Sequence, residues 1–252
     1  MPEGDTIHRT AATLQKALAG KVVTRYETML PKIDGPLRGR TIERVVAVGK
    51  NLVIDFSGDL HLRTHMRMNG AWHIYRPGER WQRPRRDMRV LIETSDFVAV
   101  GFNIPVAELL TGRELERVLH PQGPDLLAEF DVAEAVRRAR ERNDEQIADV
   151  LLSQRVAAGI GNIWKSESLF QRGINPFTRV KDLDDKALEQ LFLAARALLK
   201  ESAAGHRRLN VYSRGGQPCR KCGTAIASRK QGLDARLTYW CPRCQPLESA
   251  KC

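Results

Sequence analysis

The chain has 252 residues, 42% of them hydrophobic and 28% charged, with a formal net charge of +11 and a sequence pI near 9.8. This balance is that of a soluble globular protein long enough for one large domain or two ordinary ones, and no apolar run is long enough to span a membrane. The basic excess favours a polyanionic partner, nucleic acid above all, with a merely solvated basic surface as the alternative.

The chain opens Met1-Pro2-Glu3-Gly4-Asp5. Removal of Met1 would leave Pro2 with a secondary amine on a rigid ring, able to attack the aldehyde carbon of an opened sugar. Glu3 supplies a neighbouring carboxyl group for proton transfer. Residues 1–20 lack the apolar centre of a signal peptide, which points to the cytosol. A helix is predicted over 5–19, capped by Asp5 or Thr6, with Ile7, Ala11, Leu14 and Leu18 as its apolar stripe and Gly20 as its stop.

From residue 21 to about 102 the period changes. Short runs at 21–27, 41–48, 52–56, 60–65, 71–75, 88–93 and 97–102 are rich in Val, Ile, Thr and aromatics and are parted by turn signals, the pattern of a sandwich or barrel. Arg76, Arg80, Arg83, Arg85, Arg86 and Arg89 cluster within this half and read as an electrostatic patch. The arginines at 137, 138, 140 and 142 are mixed with acids and read as a solvated helix face.

After His120-Pro121-Gln122-Gly123-Pro124, helical periodicity takes over at 131–142, 144–153, 162–172 and 183–204. The turn Ala158-Gly159-Ile160-Gly161-Asn162 joins two of these helices. Its glycines permit positive φ and close backbone approach, and Asn162 is placed to cap the second helix. A helix start with free amides suits a phosphate, although an ordinary helix–helix turn has the same residues.

Cys219-x-x-Cys222 and Cys241-x-x-Cys244 are separated by 18 residues. Two thiolates from each of two tight turns complete a tetrahedron, which in a reducing compartment means one structural Zn²⁺; two disulfides or a rubredoxin-like iron are the other uses of the pattern. Cys252 falls outside it and reads as a free, exposed thiol. Arg236 lies between the pairs, near the tip of a predicted hairpin, where a guanidinium can grip a phosphate or simply face solvent.

Five motifs in order then resemble the formamidopyrimidine-DNA glycosylase/endonuclease VIII family. They are Pro2-Glu3-Gly4-Asp5-Thr6, Val48-Gly49-Lys50, Gly123-Pro124-Asp125-Leu126-Leu127, Ala158-Gly159-Ile160-Gly161-Asn162, and the terminal four-cysteine finger. The resemblance implies an α+β protein. An N-terminal β-sandwich with a leading helix (1–125) would be followed by a helix–two-turn–helix DNA-binding domain (126–210) and a zinc-finger β-hairpin (211–246). It implies a bifunctional glycosylase and abasic-site lyase of base-excision repair, acting on damaged DNA as a monomer without a small-molecule cofactor, cytoplasmic and associated with a bacterial nucleoid.

Residue by residue, Pro2 resembles the nucleophile that forms a Schiff base at C1′, and Glu3 the acid that assists sugar opening. Lys50 resembles the lysine that touches phosphate and aids β-elimination, and Arg236 the finger arginine on phosphate linked to δ-elimination. Asn162 resembles the asparagine holding the backbone beside the lesion. Met68 resembles the wedge that fills the gap left by the extruded base, with Arg67 beside it. The Gly4-Asp5 start and the short connection over 205–218 resemble the endonuclease VIII branch, which favours oxidised pyrimidines. Ser153, Arg67 and Asn69 depart from the commonest pattern, and no arginine–phenylalanine pair marks a second void-filling position. A purine-directed relative, or a zinc-ribbon DNA-binding protein without catalysis, are the competing readings.

Overall fold

A computed structural model describes residues 2–247; Cys252 lies outside the described residues. The chain divides into two compact units. One comprises Pro2 and Thr6–Pro121, the other Glu3–Asp5 and the chain from Gln122 onward. No helix among the described residues is long and apolar enough to cross a membrane.

The first unit holds helix α1 (Gly4–Leu18) from Thr6 onward, then β1 (Arg25–Thr28), β2 (Ile42–Val48), β3 (Asn51–Phe56), β4 (Leu60–His65), β5 (Ala71–Tyr75), β6 (Met88–Glu93), β7 (Val98–Phe102), β8 (Val106–Leu110) and α2 (Gly112–Leu119). Its strands form two antiparallel four-stranded sheets, ordered β1-β6-β7-β5 and β2-β3-β4-β8. Ile42, Val45, Leu52, Ile54, Phe56 and Leu62 from one sheet share a core with Val90, Ile92 and Ala99 from the other. The stripe Ile7, Ala11, Leu14 and Leu18 is almost fully buried in that core, as its helical spacing predicts. Ile7, Leu14 and Leu18 each contribute roughly 1.5–3 kcal/mol on burial.

The expected α+β sandwich is therefore present, with local differences. Of the run at 21–27 only Arg25–Glu27 joins β1, which extends to Thr28; ahead of it Val22 bridges Thr41, and Lys21–Thr24 exchanges backbone bonds with Arg40, Ile42 and Glu93. Sequence periodicity also passed over β8 and α2. The helix has a reciprocal capping box between Thr111 and Glu114, a signal that was available in the sequence.

The second unit holds α3 (Val132–Arg140), α4 (Ile147–Leu152), α5 (Asn162–Arg172), α6 (Asp185–Ala203) and the antiparallel pair β9 (Ala227–Gln231) and β10 (Arg236–Trp240). Trp164, Phe192 and a set of aliphatics from all four helices make its main core. The arginine run on α3 is only partly a solvated face. Arg137, Arg138 and Arg142 pair with nearby glutamates, but Arg140 donates to the Val180 and Leu183 carbonyls and pairs with Asp185, docking α3 at the start of α6.

Candidate functional site

Glu3 is 1% exposed, and its carboxylate sits on the N-terminus of α5. Its Oε1 accepts from the Ile163 amide at 2.8 Å and its Oε2 from the Trp164 amide at 3.3 Å. A carboxylate is the natural occupant of a helix start, where amide dipoles converge. The amides that the sequence reading left free for a phosphate are therefore taken by Glu3. Gly161 makes this possible: a Cβ there would lie 2.2 Å from Glu3 Cδ. Gly159 carries the positive φ, +106°, so the two glycines do different work. The Gly4 amide donates to the Gly159 carbonyl at 3.0 Å, and a Cβ on Gly4 would meet Gly159 Cα at 2.9 Å.

Asp5 does not cap α1. The helix starts at Gly4, and the buried Asp5 carboxylate accepts from Trp164 Nε1 at 3.1 Å and from Ser202 Oγ at 2.6 Å. Asn162 is likewise not a cap. Gly161 occupies that position, and Asn162 is the first helical residue. Its Nδ2 donates to the Leu237 carbonyl at 2.8 Å and its Oδ1 accepts from Lys165 Nζ at 2.7 Å.

Lys165 was not singled out from sequence. It is 1% exposed, and its ammonium also donates to Thr238 Oγ1 at 2.7 Å. Burial pushes its pKa down to about 8; Asp149 and Glu3 pull it upward, and Arg236 adds to the lowering. Because an ammonium only donates, it fixes which face of the Asn162 amide carries oxygen. Lys165 thus ties α5 to β10 two residues beyond Arg236, which begins β10 after the tight turn at 232–235. Arg236 pairs with Asp234, Nη2 to Oδ2, at 3.1 Å.

In the first unit, Lys50 is in the two-residue loop between β2 and β3, where Val48 and Asn51 pair and Gly49 takes φ +58°. The loop after β4 turns back on itself, with the Gly70 amide donating to the Met66 carbonyl at 2.9 Å. Met66 is buried and Met68 is 64% exposed at the tip. A Cβ at Gly70 would meet Met66 backbone atoms at 2.6 Å, and Arg67 holds a left-handed φ of +45°. His65 Nδ1 accepts from the Arg67 amide at 3.1 Å. Burial, then the charges of Lys50, Arg63 and Arg67, lower its pKa to about 4, so it is neutral near pH 7.

The four cysteine sulfurs lie within 4.8 Å of one another, with Cys219 to Cys244 at 3.9 Å and Cys222 to Cys241 at 3.4 Å. A tetrahedral centre with Zn–S bonds of about 2.3 Å needs sulfurs about 3.8 Å apart, so the set fits one structural zinc ion. Gln245, fully buried, anchors the second knuckle: it accepts from the Cys241 amide at 3.0 Å and donates to the Ile174 carbonyl at 2.7 Å.

The sandwich, helices and cysteine hairpin define the class. Residues 1–105 match the formamidopyrimidine-DNA glycosylase N-terminal domain, residues 122–212 the formamidopyrimidine-DNA glycosylase H2TH domain, and residues 216–247 the zinc finger found in FPG and IleRS. The chain is 38% identical to the probable endonuclease 8 2 of Streptomyces coelicolor, over 97% of this chain and 94% of that protein. It is 37% identical to the DNA-(apurinic or apyrimidinic site) lyase Nei2 of Mycolicibacterium smegmatis, over 97% and 99%. It is 33% identical to the endonuclease 8 of Escherichia coli, over 97% and 100%. Its fold matches that of the Lactococcus lactis Fpg in complex with abasic-site DNA, with a TM-score of 0.87, 22% identity and coverage of 98% and 100%. The chain belongs to the formamidopyrimidine-DNA glycosylase/endonuclease VIII family.

Proposed function

We propose that this chain, a DNA glycosylase and abasic-site lyase of base-excision repair, uses Pro2 as its nucleophile and favours oxidised pyrimidines in damaged DNA. Removal of Met1 frees the Pro2 amine; an ordinary α-amino group has a pKa of about 7.7–8.0, so a useful fraction of such a group is neutral at pH 7. Pro2 lies just before the start of α1, whose positive end favours the neutral amine. Its lone pair forms a bond to C1′ while the damaged base departs with a proton. Loss of the amine proton and protonation of the ring oxygen open the sugar to an iminium ion. That fixed charge acidifies the C2′ hydrogen, so elimination breaks the C3′–O bond, and a second elimination breaks the C5′–O bond.

Glu3 is the proton carrier for ring opening. Its Oε1 and Oε2 accept from the Ile163 and Trp164 amides, which hold the carboxylate at the start of α5. Lys50 serves a phosphate and the first elimination, and Arg236 a phosphate and the second. Asn162 holds the backbone beside the lesion. Met68, with Arg67 beside it, fills the space left by the flipped base and offsets part of the few kcal/mol of unstacking. The observation that carries this reading is the Glu3 cradle, which fixes the residue next to Pro2 on two helix amides and against Gly161.

Pyrimidine preference is supported by the connection from α6 to Cys219. It is short, and Glu167 holds its far part by accepting from the amides of Asn210, Val211 and Tyr212 at 2.8–2.9 Å. Little free chain is left there to cover a purine. Borohydride trapping on duplexes carrying thymine glycol, 8-oxoguanine or an abasic site tests both parts. Loss of Pro2 should abolish the adduct, and thymine glycol should trap faster than 8-oxoguanine. An undiminished adduct without Pro2, or a reversed lesion order, overturns the corresponding part.

A further inference from the structure

The β5–β6 connection plays no part in the chemistry above. Residues 76–89 carry six arginines against Glu79 and Asp87, a local net charge of +4 in a chain of +11. The segment is braced. Trp81 stacks on Tyr75 with ring centroids 6.4 Å apart and meets Phe102 edge-on at 5.7 Å, while the Gln82 amide donates to Tyr75 Oη at 3.1 Å. The Asn103 amide donates to the Asp87 carbonyl at 2.8 Å, closing the far end onto the β7–β8 turn.

Three of the arginines belong to this brace. Arg76 lies over Phe97, Arg85 pairs with Glu27 beside Trp81, and Arg89 donates to the Arg86 and Met88 carbonyls. The side chains of Arg80, Arg83 and Arg86 have no hydrogen-bond or ion-pair partner among the described residues, and Arg80 and Arg86 are exposed. Arg83 and Arg89 also line, with Arg67, Met68 and Asn103, one cleft of about 870 Å³. The arm and the Met68 loop therefore face a common space.

We infer that the β5–β6 arm is a second phosphate-binding surface, on which Arg80, Arg83 and Arg86 grip the DNA backbone flanking the position of Met68. This rests on the DNA-repair reading of the chain. A guanidinium fork matches a phosphodiester, and an arm already ordered by Trp81 loses little freedom on binding. The other arginine run provides the contrast: Arg137, Arg138 and Arg142 are already satisfied by Glu134, Glu141 and Glu145.

The test is the salt dependence of binding to a duplex carrying a tetrahydrofuran abasic analogue, read by fluorescence anisotropy on the zinc-loaded protein. The Arg80→Ala/Arg83→Ala/Arg86→Ala variant should lose about 0.9 from the slope of log K against log salt per phosphate contact, up to about 2.7 for all three. The matching lysine variant should keep the slope. Removal of Arg137, Arg138 and Arg142 together should leave it near wild type. An unchanged slope in the first variant, or an equal fall in the last, overturns the proposal. If the triple alanine variant loses its thermal transition, Arg86→Ala alone carries the test, with a fall of about 0.9 expected and none refuting it. Borohydride trapping by the wild type separates the two readings. A wild type that traps but whose slope ignores the arm refutes the arm. A wild type that traps no lesion while the arm controls the slope refutes the chemistry instead.

Discussion

Replacing Lys165 with Met should change how stability varies with pH more than its value at pH 7. The ammonium is buried, and its pKa falls from the ordinary 10.5 to about 8. A displacement of that size corresponds to about 3 kcal/mol between the two protonation states. Below pH 8 Lys165 is charged in both folded and unfolded chains, and the full cost of burying the charge is present. Between pH 8 and 10.5 the unfolded chain still holds the proton and the folded chain has released it, so stability rises with pH. Methionine removes that gain. At pH 7 it also removes the burial cost, but it leaves Asn162 Oδ1 and Thr238 Oγ1 without their donor, at roughly 1–3 kcal/mol each. The two effects oppose each other, so the value at pH 7 decides nothing and the slope decides. Urea unfolding of both zinc-loaded proteins from pH 7 to pH 10 measures it. The wild-type advantage should grow by most of about 3 kcal/mol across that range. A difference that stays flat with pH refutes the reading of Lys165 as a buried charge.

Four further outcomes are expected. Gly161→Ala should drive the Glu3 carboxylate off α5, because the new Cβ would fall 2.2 Å from Glu3 Cδ; base excision should drop by at least about tenfold, the rate equivalent of 1.4 kcal/mol, and an unchanged single-turnover rate would count against the cradle. Glu3→Gln should block base excision more than cleavage of a pre-formed abasic site, and equal loss on both substrates would remove its role in ring opening. Protein that retains Met1 should give no trapped adduct, since the Pro2 nitrogen is then an amide; mass spectrometry of trapped and untrapped fractions checks this. Cys219→Ser should lower zinc content and disorder the hairpin that carries Arg236, measured as metal stoichiometry and a lower melting temperature, whereas full zinc occupancy with an unchanged melt would exclude Cys219 as a ligand.

Much of this protein could be read from short-range pattern. The spacing of Ile7, Ala11, Leu14 and Leu18 gave α1, and the switch from period 2 to period 3.6 near residue 124 gave the change from strands to helices. The paired Cys-x-x-Cys turns determined a zinc centre, because four thiolates at that spacing have few other uses. Where reasoning along the chain failed, a distant partner had decided the outcome. Asp5 and Asn162 have the residue types of helix caps, yet Asp5 is held by Trp164 and Ser202 and Asn162 by Leu237 and Lys165. The helix start at Gly161 offers amides to an anion, but only the fold shows that the anion is Glu3, 160 residues away from Ile163 in sequence. Lys165 looked like any helical lysine until burial stripped its water and lowered its pKa. Sequence by itself determined most of the elements, the four-cysteine zinc pattern and the family, because these depend mainly on spacing within short motifs. Tertiary structure alone decided which polar group faces which, because a buried donor or acceptor takes whatever partner the packed chain brings within about 3 Å.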